Sequence, residues 1–130
     1  MTRQNVDAGT VWGPTVGYSR AVRVGNTIHV AGTTGLDAAG KPAAGGMYGQ
    51  SKQALANILA ALTRLGGRAE DVVRTRIFVT DIAQWEEVGR AHGEIFGAIR
   101  PAATMVEVTR LIDPELLVET EADAILPEAR

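Results

Sequence analysis

Short alternating segments mark both ends of this chain, and helical periodicity fills its middle. Tyr18–Val24 and Thr27–Ala31 are rich in β-branched residues and are separated by Gly25-Asn26, which predicts two strands joined by a tight hairpin. Ala54, Ile58, Ala61, Leu62 and Leu65 recur at intervals of three and four before Gly66-Gly67, so a helix is predicted from about Met47 to Leu65. Val72–Val79 reads as a third strand. Asp81, with Gln84 three residues on, offers an N-cap for a second helix. Its apolar stripe is Ile82, Trp85, Val88, Ile95, Phe96 and Ile99, with His92 inside the stripe, and Pro101 stops it. From Arg100 to Asp123 two further strands follow, joined by a short loop. The glycine-rich stretch Gly32–Gly49 reads as a long loop with a turn at Asp37–Gly40, and long loops in compact domains are frequently functional.

The element order is therefore ββαβαββ in a single domain spanning residues 1–130, with 1–16 expected as a flexible N-terminal segment. An α+β fold is predicted, with a mixed sheet and both helices on one face, as in split βαβ arrangements. Two helices cannot cover both faces. The other face, expected to carry Val72, Phe78, Met105 and Leu117 among charged residues, is most simply buried by further copies of the chain, so a homo-oligomer is expected.

The last strand changes the picture from fold to chemistry. In Leu116–Ala124 the period of two sets Val118, Thr120, Ala122 and Ala124 on one side, and Leu117, Glu119, Glu121 and Asp123 on the other. Three carboxylates in a row need cations, water, a raised pKa or a ligand. Arg74 and Arg76 share one face of the middle strand and are the obvious ion-pair partners.

With a formal charge of −2 over 130 residues there is no basic surface for nucleic acid or anionic membrane, and neither partner is expected. No cysteine is present, which removes disulfides, thiol nucleophiles and thiolate metal sites and fits a cytoplasmic location. The N-terminus has no long apolar run, and no window approaches the roughly 20 apolar residues of a spanning helix. His29 and His92 have no paired ligand, so no metal site is expected, and no phosphate-binding or dinucleotide fingerprint occurs. Packing is the expected role of Trp85, whereas Trp12, ahead of the hairpin, is placed to cap a neighbouring subunit's pocket.

Three ordered segments carry a family resemblance. GYSRAVRVGNTIHVAGTTGLD at 17–37, NILAALTRLGGRAEDVVRTRIFVTDIAQWEEV at 57–88, and RPAATMVEV followed by LLVETEA between 100 and 122 resemble the RidA/YjgF family, also known as the L-PSP endoribonuclease family. The resemblance implies a chorismate-mutase-like fold, a homotrimer, and ligand clefts between subunits. It also implies cofactor-free hydrolysis of enamines and imines to a keto compound and ammonia.

Carried over position by position, the resemblance makes Glu119 the residue that activates water, a task suited to a partly buried carboxylate. Tyr18 and Ser19 match the family's pair at the cleft, and Gly32 and Thr33 match a loop that presents backbone N–H groups to the ligand. Ala103, Thr104 and Glu107 occupy the closing signature, where the family places an arginine that grips the substrate carboxylate. Here that position is Ala103. A methyl group cannot replace a guanidinium fork, so the usual 2-imino acids are expected to bind poorly unless Arg20, Arg100 or Arg110 reaches in. The sequence thus resembles an arginine-lacking branch. Two functions stay open: a small-molecule hydrolase acting on an imine, enamine or related conjugated compound, or a non-catalytic trimer that binds metabolites or another protein.

Overall fold

The structure is a computed structural model and describes residues 2–128. Six strands form one sheet: β1 (Arg3–Asp7), β2 (Ser19–Val24), β3 (Thr27–Thr34), β4 (Val72–Val79), β5 (Ala102–Glu107) and β6 (Val118–Ile125). A single helical turn, α1 (Gly13–Val16), precedes β2; α2 (Gly46–Arg64) and α3 (Trp85–Phe96) are the two long helices. The spatial order is β1-β2-β3-β6-β4-β5, with β4 and β5 parallel and every other pair antiparallel. The final strand thus inserts between β3 and β4, which splits the β3-α2-β4 unit and puts the carboxylate-bearing strand near the middle of the sheet.

Both helices lie on one face. Ile28 and Val30 of β3 and Ala122 and Ala124 of β6 pack against Leu55, Ile58 and Leu62 of α2 and Phe96 of α3. A smaller cluster joins Met47, Ile77, Val79, Val88 and Val118. The two-residue turn at Gly25-Asn26 is as the sequence predicts, with Val24 paired to Thr27 and Gly25 at φ 61°. Asp81 caps a 3-10 turn, Ile82–Gln84, by accepting from the Ala83 N–H, and that turn runs on into α3.

Several expectations need correction. Residues 2–16 carry an edge strand and a helical turn, because Arg3–Asp7 finds unpaired backbone along β2 in spite of its polar sequence. Trp85 is 55% exposed rather than packed, since the buried side of α3 is set by Val88, Ala91 and Phe96. Val72, Met105 and Leu117 lie in or against the core clusters beneath the helices, so they do not belong to the open face. That face instead holds Phe78, His29, Arg74 and Arg76 beside the carboxylates of β6.

Strand β3 runs three residues past its predicted end and contains a bulge. Val30 pairs with Ala122 and Thr33 with Thr120, so Ala31 and Gly32 together oppose Glu121. The bulge reverses the alternation: Ile28 and Val30 face the helices before it, and Thr33 does so after it. Thr34 is thereby turned to the open face, directly beside Glu119.

The loop that leads into β6 is fixed from below by Gln50 of α2. Its amide donates to the Glu115 carbonyl at 2.9 Å, and its own carbonyl accepts from the Leu117 N–H at 2.9 Å. Gln50 is buried, so Gln50→Ala leaves two backbone groups without partners. A loss of about 2 kcal/mol in unfolding free energy is expected, read as a lower urea midpoint with an unchanged slope.

Candidate functional site

The bulge brings β2, β3 and β6 together around a cavity of about 270 Å³ on the open face. Tyr18, Arg20, Gly32, Thr34 and Glu119 form its floor and walls, and Trp12, Val16 and Ile112 stand at its edge. Gly32 is the contact that decides the geometry. A Cβ at this position would come 2.9 Å from the Glu119 carboxyl carbon and collide with its Oε2. The absence of a side chain is therefore what lets the glutamate lie across the bulge.

Glu119 differs from its neighbours on β6. Arg76 donates to Asp123 at 3.0 Å and lies 3.6 Å from Glu121, and His29 Nδ1 is 2.7 Å from Asp123. Arg74 reaches the Thr104 hydroxyl at 3.3 Å. Neither arginine of β4 is paired with Glu119. Burial pushes its carboxyl above the ordinary glutamate value, the nearby Glu121 charge adds to this, and Arg20 opposes it. Asp123 shows the contrasting case: burial would raise it, but hydrogen bonds from His29 and Arg76, and their charges, outweigh that and hold it low.

Arg20 organises the opposite wall. Its Nη1 donates to the Gly32 carbonyl at 2.7 Å and to the Thr33 hydroxyl at 3.0 Å, and its Nη2 donates to the Tyr18 hydroxyl at 3.1 Å. Nε and Nη2 both reach the Ala8 carbonyl at 3.4 Å. The Tyr18 hydroxyl also lies 2.8 Å from the Thr10 hydroxyl, so a phenol with a fixed orientation points into the same space as the Glu119 carboxyl.

Of the residues singled out from sequence, Tyr18, Gly32 and Glu119 meet in this cavity. Thr33 lies directly behind it, buried, donating to the Ala31 carbonyl while accepting from Arg20. Ser19 is turned away and accepts from the Asn5 side chain at 2.8 Å. Ala103, Thr104 and Glu107 sit on β5, two strands from β6 at the far edge of the sheet, and within one chain they do not meet Glu119. Glu107 there accepts from the Ile82 N–H at 3.1 Å, at the start of the turn that precedes α3. Arg100 and Arg110 do not line the cavity. Thr10, Thr34 and Ile112 were not singled out from sequence. A glycine inside a strand pattern is the one signal for Thr34, because it marks the bulge that rotates the following residues.

The family described as Endoribonuclease L-PSP matches residues 10–126. The chain belongs to this YjgF/L-PSP family. A solved structure from Mycobacterium tuberculosis, titled Rv2704 and described as a member of the YjgF/YER057c/UK114 family, superposes with a TM-score of 0.87 at 49% identity, covering 96% of this chain and all of the other. A RutC family protein of Pyrococcus abyssi is 36% identical over 108 residues, 82% of this chain and 84% of that one. The human protein named 2-iminobutanoate/2-iminopropanoate deaminase is 33% identical over 109 residues, 83% of this chain and 79% of its own length. The fold is accordingly the chorismate-mutase-like α+β fold of the YjgF proteins. No described helix is long and apolar enough to cross a membrane.

Proposed function

We propose that this YjgF-family protein is a small-molecule hydrolase of the RidA type, which converts an imine or enamine to a carbonyl compound and ammonia in a cleft completed by a neighbouring subunit of a homotrimer. The observation that carries this reading is the state of Glu119: half-buried, shifted toward neutrality, free of the ion pairs that engage Glu121 and Asp123, and aimed into a cavity it shares with Tyr18. A carboxyl committed to structure would be expected to hold one of the arginines of β4.

The chemistry asks one group to move one proton twice. As a carboxylate, Glu119 takes a proton from a water while the water oxygen bonds to the iminium carbon and the C=N π pair passes to nitrogen. The resulting carboxylic acid returns the proton to the amine, the C–N bond breaks as the hydroxyl oxygen forms the C=O bond, and the hydroxyl proton passes to the departing ammonia, so that the carbonyl compound leaves with ammonium. Net consumption is one water per iminium, and an enamine enters after protonation at carbon. A pKa raised toward working pH suits both halves of the cycle. Tyr18, held by Arg20 and Thr10, supplies a planar surface and an oriented hydroxyl beside the reacting group.

Imines generated in situ by an oxidase provide the test. Faster ammonia release in the presence of the protein, together with a trimeric mass by light scattering, is the expected result. No acceleration with any imine, from a protein that still binds small carbonyl compounds, would assign the site to metabolite binding alone.

A further inference from the structure

The substrate's chemical class can be read from which groups in the cavity still have bonding capacity. This step rests on the hydrolase reading above. Among the described residues, Arg20 is the only basic side chain in the cavity lining. A guanidinium has five N–H donors, and those of Arg20 are directed at the Ala8 and Gly32 carbonyls and at the Thr33 and Tyr18 hydroxyls in five hydrogen bonds. No fork is left for a ligand carboxylate. Arg74 and Arg76, the guanidiniums further along the same face, do not line the cavity; Arg76 is held by Glu121 and Asp123, and Arg74 touches the Thr104 hydroxyl. Position 103, where the family resemblance expects a carboxylate-gripping arginine, is alanine.

The other features oppose an anion and favour an apolar group. Glu119 lines the cavity and carries the charge of Glu121 close by, so a carboxylate brought next to the reacting carbon meets like charge and, from its own chain, no uncommitted cation in the cavity lining. Val16 and Ile112, 69% and 61% exposed, add two branched aliphatic side chains to the cavity lining and present apolar surface to a ligand there. Trp12 and Thr10 are shared with a second cavity of about 620 Å³, which gives a substituent larger than methyl room beyond the rim.

We propose that the substrate carries no carboxylate on its imine carbon: it is the iminium or enamine of an apolar primary amine, and the product is an aldehyde or ketone rather than a 2-keto acid. The reaction is R–CH=NH₂⁺ plus water giving R–CHO plus NH₄⁺, with no redox change. The class of reaction that supplies such a compound is the two-electron oxidation of a primary amine. Arg20 acts in it as a positioning residue, holding the Tyr18 hydroxyl and the Gly32 carbonyl beside Glu119.

Two imines distinguish this class from the alternative: one made from benzylamine by an amine oxidase, the other made from an aliphatic L-amino acid by an amino-acid oxidase. The expected kcat/KM is higher for the benzylamine imine by ~10-fold or more, the discrimination of about one unmade charge-assisted pair. Arg20→Gln should lower kcat for both while leaving their ratio within about twofold, and Ala103→Arg should move the ratio toward the imino acid. Preference for the imino acid, or its selective loss in Arg20→Gln, overturns this substrate class and leaves the hydrolase reading intact. Acceleration of neither imine removes both.

Discussion

Glu119→Gln is expected to lower imine turnover by ~10²–10⁴-fold while making the folded protein more stable at neutral pH. The first effect follows because an amide can neither take a proton from water nor return one to the departing amine. The second follows from linkage. The Glu119 pKa is raised by folding above its ordinary value of 4.5, so the folded state favours the neutral acid. Any stabilisation from that preference is fully present below about pH 4.5 and is lost as pH climbs through the folded-state value. Glutamine is neutral throughout. Urea unfolding of the two proteins should therefore give similar midpoints at pH 4 and a higher midpoint for Glu119→Gln at pH 7. A structural carboxylate held by an arginine would behave in the opposite way, since removing it would leave a cation unpaired at neutral pH and lower the midpoint there. Activity loss with a lower pH 7 midpoint would thus make Glu119 a strut rather than a proton carrier.

The contrast within β6 shows why that measurement is worth making. Asp123, two strand positions along from Glu121, is held low by His29 and Arg76 despite its burial, and so contributes stability above its unfolded pKa that is lost as pH falls through the folded value. Glu119 and Asp123 therefore tilt the pH profile in opposite directions. The difference between them is where the cations sit: Arg76 is opposite Glu121 in the register and reaches Asp123, whereas Glu119 is flanked by Phe78 and Thr34, neither of which carries charge.

That arrangement was half-legible in the sequence. The alternation of β6 correctly sorts Val118, Thr120, Ala122 and Ala124 to the core and the three carboxylates to the open face, because burial on one face of a strand imposes a period of two. It also makes Arg74 and Arg76 obvious partners, but cannot say which carboxylate they choose, since that depends on the register between β4 and β6. The same reason explains the errors elsewhere. Val72 and Met105 were expected on the open face from simple alternation, but the register shift between Val72 and Arg74 and the parallel pairing of β5 put them on the helix side. Arg3–Asp7 becomes a strand because β2 has an edge to offer, a tertiary cause with no local trace. The site itself depends on a two-for-one bulge whose only sequence mark is a glycine within a run of β-branched residues, so the two long helices and the succession of elements from the hairpin onward are more readable than the place where chemistry is proposed.

Gly32→Ala isolates that bulge. The glycine does not need a left-handed backbone here, so alanine can adopt its φ and ψ, and the folded chain should keep its stability within about 1 kcal/mol. What it cannot keep is the glutamate. An added Cβ takes the space of the Glu119 carboxyl group, which must swing toward solvent, away from Tyr18 and Arg20. A displaced catalytic group costs orientation, and an activity loss of ~10²-fold is expected. The swing also returns the carboxyl to water, so the pH-dependent gap in urea midpoint between this protein and its Glu119→Gln derivative should shrink. The decisive comparison is a double-mutant cycle. If Gly32 acts only by making room for Glu119, then adding Gly32→Ala to Glu119→Gln lowers the residual activity hardly at all, because there is no longer a proton carrier to misplace. Full additivity of the two losses would mean that the bare backbone at position 32 meets the ligand directly, and the glycine would then belong to the binding surface rather than to the glutamate's seat.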